Sequence, residues 1–201
     1  MFESKSGRVR LEVPDDYFRI ANRCEFVNCE TNSINQDKSN LFTAAFSKEN
    51  FNFPATRIAG NPTNKKPFDE GYFVVDSKNK LYHIKMIKGK PFCKFTNNPE
   101  SLKIAYLKIG EMSLREFYGF LYTKQGDVFL ISYDNYKLIK LPLDNFDMQK
   151  ESFSIIGDQF YRTISLTSAK RVRTIVTDRN YNVIDRYEDN WQAIMTCRRV
   201  S

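Results

Sequence analysis

The sequence predicts an all-β fold of blade-like antiparallel sheets, β-propeller-like in plan, with about four units and at most one or two short helices. Three observations lead there. Three separate segments repeat the same order of strand, polar turn and strand. Aromatic residues make up 14% of the chain, with 17 Phe and 11 Tyr against a single Trp, and flat side chains favour a pleated surface. Apolar residues recurring at helical spacing are scarce.

Taken in chain order, RVRLEV (8–13) alternates as a strand should, and such a strand could close a ring of sheets beside the C-terminal unit. FRIANRCEFVNCETNSINQ (18–36) reads as a divergent first unit. SNLFTAAFSKEN (39–50) follows as a short helix, with Ser39 or Asn40 as its cap and Leu41, Ala44, Ala45 and Lys48 at helical spacing. GYFVVDSKNKLYHIKMI (71–87) is the first clear hairpin, and Asp76 and Asn79 supply its turn. LKIAYLKI (102–109) is a strand leading to the second hairpin, GFLYTKQGDVFLISY (119–133), which turns at Gly126 and Asp127. YKLIKLPL (136–143) adds another strand. FYRTISLT (160–167) then precedes the third hairpin, RTIVTDRNYNVIDRY (173–187), with Asp178 and Asn180 in its turn. From Gly71 to Gly119 is 48 residues and from Gly119 to Arg173 is 54, near the period of propeller blades. At 201 residues, one β domain spanning 1–201 is expected.

Charge narrows the function classes. The formal net charge is +7, from 31 Lys and Arg against 24 Asp and Glu. The excess is spread evenly: 16 basic and 12 acidic residues lie up to position 100, and 15 and 12 beyond it. The densest basic stretch, Lys78 to Lys94, reads as lysines that solvate a sheet or block its edge. No glycine-rich phosphate loop or RNA-binding aromatic strand motif is present, so a nucleic-acid partner is not expected. The four cysteines, Cys24, Cys29, Cys93 and Cys197, have no metal or redox spacing. Cys24 and Cys29 would face opposite sides of one continuous strand and could not bond to each other. No metal and no cofactor are expected.

Several blocks carry a resemblance: ESKSGRV (3–9), VPDDYFRI (13–20), FPATRIAGNPTNKKPFDEGYFVVD (53–76), LYHIKM (81–86) and YKLIKLPL (136–143). Together, and in this order, they resemble an uncharacterised domain family of unknown function from Gram-negative gut anaerobes. The resemblance brings no activity. It implies the soluble, extracytoplasmic part of a membrane-anchored protein, on the periplasmic side, near a membrane transport system. It further implies a protein partner, a transport component, and membrane contact only through a segment that this chain lacks.

His83 is the only histidine, and its side chain titrates near neutrality elsewhere. Strand parity sets it with Leu81, Lys85 and Ile87, and no serine or cysteine nucleophile is tied to it by a local pattern, so a structural or surface histidine is preferred over a ligand contact. Asp69 and Glu70 are adjacent and point apart on a strand, which suits a turn role better than a pair of facing catalytic carboxylates. Glu111, Arg115 and Glu116 in GEMSLREFYG read as exposed charges on a short helical turn. The loop GNPTNKKP (60–67) is the better binding suspect. The candidate binding residues are therefore Arg57, Asn61, Asn64, Lys65, Lys66, Asp69, Glu70 and His83. Lys65 and Lys66 are expected to be exposed, so that removing both would weaken binding without lowering stability. A non-enzymatic interaction or ligand-sensing domain is the leading expectation, and a hydrolase or lyase acting on carbohydrate or peptide the alternative.

Overall fold

A computed structural model describes residues 1–5 and 10–190. Its contacts gather into two compact units, Met1–Ile139 and the chain from Lys140 onward. Among the described residues, fifteen strands form four antiparallel sheets, accompanied by one helix of 13 residues. The all-β, blade-like expectation holds, and none of the four sheets closes on itself among the described residues.

The first sheet has the order β1 (Asp16–Ile20), β2 (Cys24–Asn28), β3 (Ile34–Asn35). It is followed directly by α1 (Gln36–Lys48). The cap differs from the sequence expectation: Asn35 caps the helix, its side chain accepting from the Lys38 N–H. Ser39 instead lies inside the first turn, fully buried, where its hydroxyl donates to the Asn35 carbonyl and accepts from the Phe26 N–H. The packed face differs too. Ser39, Phe42 and Phe46 are buried, whereas Leu41 is 53% exposed. Phe42 packs against Phe26, and Phe46 against Phe51 and Phe53, in tilted or edge-on contacts, so large rings at i and i+4 outweigh a stripe of small alanines in fixing the helix's rotation.

The second sheet runs β4 (Arg57–Gly60), β5 (Tyr72–Val75), β6 (Leu81–Ile87), β7 (Lys90–Phe95), each strand pairing with its sequence neighbour. Its middle strands are buried on both faces. Val74, Tyr82 and Ile84 join a cluster with Ile20, Phe26, Phe42 and Phe46. Phe73, Val75 and Leu81 join another with Ile104, Leu107, Leu121 and Ile131. That double burial explains why YFVV is uninterrupted by polar residues. Asp76 closes the β5–β6 turn: one carboxylate oxygen accepts from the Lys78 and Lys80 N–H groups, the other from the Asn52 backbone and side chain. Asn79 takes the left-handed conformation there, at φ 65°.

The third sheet is β8 (Ile104–Ile109), β9 (Phe117–Thr123), β10 (Val128–Ser132), β11 (Leu138–Lys140), again paired in sequence order. Gly126, at φ 89°, makes its β9–β10 turn. The fourth sheet, in the second unit, is β12 (Ser152–Gly157), β13 (Tyr161–Thr167), β14 (Arg171–Asp178), β15 (Val183–Asn190). Ile164, Leu166 and Ile175 are buried on one of its faces, and β15 is exposed along its whole length. Its last turn is Asp178's: the carboxylate accepts from the Asn180 and Asn182 N–H groups, and the left-handed residue is Tyr181 rather than Asn180.

All three hairpins therefore form where the sequence sets them. The closing strand does not: residues 10–13 carry no strand, and Arg8 and Val9 lie outside the described residues, as does Cys197. Cys24, Cys29 and Cys93 are free thiols, and burial pushes Cys24 and Cys93 up to about 12. Among the described residues no helix is long and apolar enough to cross a membrane.

Candidate functional site

The loop between β4 and β5 is built around one lysine. Lys66 Nζ donates to the Asn61 carbonyl at 2.6 Å, to Glu111 Oε1 at 2.8 Å and to Asp69 Oδ1. The side chain is 3% exposed and those of Asp69 and Glu111 are fully buried. Further bonds complete the network: Asn61 Nδ2 donates to Glu111 Oε2 at 2.8 Å, and the Gly71 N–H and Ser4 hydroxyl donate to Asp69 Oδ2. The Lys66 ammonium also lies 4.9 Å from the Phe2 ring centre. Three donors on one ammonium thus meet three acceptors, the arrangement that makes a buried charge tolerable.

This corrects two expectations. Lys66 is not an exposed charge, because two carboxylates and a backbone carbonyl hold it inside. Nor do Glu111, Arg115 and Glu116 sit on a helical turn of exposed charges: the segment is a tight turn, and Glu111 points inward. Asp69 keeps its turn role, accepting from Gly71 two residues on. Gly71 sits at φ 76°, and a Cβ there would come within 2.2 Å of the Ile84 carbonyl oxygen.

Asp69 and Glu70 do point apart. The Glu70 carboxylate pairs with Lys85 at 3.0 Å, and its backbone carbonyl receives Nε2 of His83. A carbonyl can only accept, so the proton is on Nε2 and His83 is the neutral Nε2–H tautomer. Nδ1 then accepts from the Tyr136 hydroxyl at 2.9 Å. The ring is fully buried, stacked on Phe73 at 4.5 Å and 5° and flanked by Tyr118 and Phe92. Desolvation pulls its pKa down to about 3, outweighing the bond to Glu70. His83 is a polar member of the packed core.

Of the eight candidates, then, Lys66, Asp69, Glu70 and His83 are buried, and Asn61 is half-buried and bound to Glu111. Arg57, Asn64 and Lys65 are exposed. Open concavities of about 520 and 400 Å³ lie elsewhere, the first beside Lys48, Cys93 and Lys94, the second beside Glu12, Asp16 and Lys38. None of the eight lines either one. Among the described residues no group of His, Cys, Asp and Glu is placed to hold a metal ion.

Sequence reasoning missed Tyr136 and the inward role of Glu111. Both come from connections between strands of the third sheet, 53 and 45 residues from His83 and Lys66, and no local pattern links them. The signal that existed was weaker: a lone histidine within a dense set of aromatics more often needs a hydroxyl partner than a substrate.

No curated protein and no solved structure matches the chain. Residues 1–177 match the family described as Domain of unknown function (DUF4857), and the chain belongs to that family.

Proposed function

We propose that this chain is a non-enzymatic interaction or ligand-sensing domain of a bacterial membrane-anchored protein. It works on the extracytoplasmic, periplasmic side, and its partner is a protein component of a membrane transport system. The observation that carries the reading is the Lys66 network. It takes up the ammonium and both carboxylates that chemistry would recruit, and it fixes the 60–70 loop as a rigid platform with Asn64 and Lys65 outward. His83, the natural acid or base, has both nitrogens engaged in the core. Groups held this way support a fixed surface to be bound. Compartment and partner rest on the resemblance of the sequence blocks alone, which implies a family from Gram-negative gut anaerobes, membrane-anchored and near transport systems.

The test is affinity purification of the tagged full-length protein from detergent-solubilised membranes, with partners identified by mass spectrometry. A transport component should co-purify, and Lys65→Ala combined with Asn64→Ala should release it while leaving the fold unchanged. Recovery of the protein in the cytoplasmic fraction with no membrane partner would refute the proposal.

A further inference from the structure

We infer that the turn Met112–Arg115 is an apolar anchor for a partner protein whose contact surface is apolar at its centre and acidic at its rim. This rests on the interaction reading above and adds a second element to the surface. The turn is closed by the Arg115 N–H donating to the Met112 carbonyl at 2.9 Å. Leu114 stands at its tip, 81% exposed, and Met112 is 41% exposed. A leucine in such a position gains nothing for the fold, whereas a rigidly presented one costs little to order on binding.

The turn is rigid because both of its ends are fixed. Glu111, just before it, is buried against Lys66 and Asn61, and the Glu116 carbonyl, just after it, accepts from the Tyr133 N–H at 3.3 Å. Arg115 adopts φ 48°, a left-handed conformation usually left to Gly or Asn, yet an arginine occupies it. Its guanidinium lies over the Phe68 ring, 4.1 Å from the ring centre, which welds the turn to the 60–70 loop. A guanidinium held on a ring keeps its edge N–H groups open to a carboxylate.

Charge identifies the partner. In the joined segments 60–70 and 111–116 the acids Asp69, Glu70 and Glu111 are buried and Glu116 is half-buried with a partner, so the exposed charges are the cations Lys65 and Arg115. Neither has a carboxylate partner among the described residues. A fixed, planar guanidinium beside one protruding leucine suits a carboxylate at a defined position, as on a protein, better than fluid lipid headgroups.

The inference is tested by selecting a phage-displayed library of random dodecapeptides on the wild-type domain, then measuring the selected peptides on variants. Enriched peptides should combine apolar or aromatic residues with two or more acids. Leu114→Ser, at an unchanged urea midpoint, and Arg115→Asn, compatible with the left-handed backbone, should each weaken them at least about tenfold. Enrichment of neutral or basic peptides, indifference to Leu114→Ser, or Leu114-dependent binding to phosphatidylserine vesicles in place of acidic peptides would each overturn it. In the membrane purification described above, a transport partner lost with the Lys65 variant but kept with Leu114→Ser would leave the interaction reading standing and remove this one.

Discussion

Acidification from pH 7 to pH 5 should destabilise this protein through His83 by about 2 kcal/mol. The side chain is neutral in the fold, with a pKa brought down to about 3, and regains its ordinary value of 6.5 when the chain unfolds. Between those values the unfolded state binds the extra proton. The contribution of His83 is therefore intact above pH 6.5 and is lost as pH falls toward 3, approaching about 1.4 kcal/mol per pH unit. Over the interval from pH 7 to pH 5 the loss sums to about 2 kcal/mol. Protonation is opposed physically by the buried ring stack and by the Tyr136 hydroxyl, which could no longer donate to Nδ1. The assay is urea denaturation at several pH values, run in parallel on His83→Gln, whose amide can still donate to Glu70 and accept from Tyr136 but does not titrate. All other groups titrate alike in the two proteins, so the difference isolates the imidazole. Parallel stability curves, or nitrogen chemical shifts showing His83 protonated in the folded protein at pH 5, would refute the reasoning.

Lys66→Met should cost about 3–5 kcal/mol, since it leaves Asp69 and Glu111 buried without their cation; a loss below about 1 kcal/mol in denaturant titration would contradict the network. Gly71→Ala should destabilise by at least about 2 kcal/mol, because its Cβ would strike the Ile84 carbonyl oxygen from a left-handed backbone, and thermal unfolding reports the outcome. Under native conditions at pH 8, iodoacetamide followed by peptide mapping should modify exposed Cys29 well before Cys24, which is fully buried and has its thiol pushed up to about 12. Equal labelling of the two would be inconsistent with their placement in and beyond β2.

Hairpins were legible in the sequence because their determinants are local. Asp76 and Asn79, Gly126, and Asp178 each shape a turn within a few residues, and alternation on either side supplies the strands. The helix was legible in position but not in rotation, since the rings that fix it, Phe26, Phe51 and Phe53, lie outside it. Lys66 was misread for the same reason. A lysine between prolines in a polar loop looks solvated until Glu111, from beyond β8, is brought to it by tertiary structure. His83 sits in the core through partners, Tyr136 and the Glu70 carbonyl, that belong to no pattern parity could reveal.

Among the described residues every sheet is a meander in which each strand after the first pairs with the one before it, with no crossover between sheets. A chain delivered N-terminus first, whether by a ribosome or through a translocation pore, can therefore complete each sheet as soon as its own strands have emerged. The loops to be closed are short, a condition that favours rapid folding. The second sheet is the exception in one respect: one face of β5 and β6 meets the first sheet and its helix, but the other stays bare until the third sheet arrives. During that interval Phe73, Val75 and Leu81 would be open to water. That stage is the one at which the emerging chain would be most exposed to aggregation and would gain most from a chaperone.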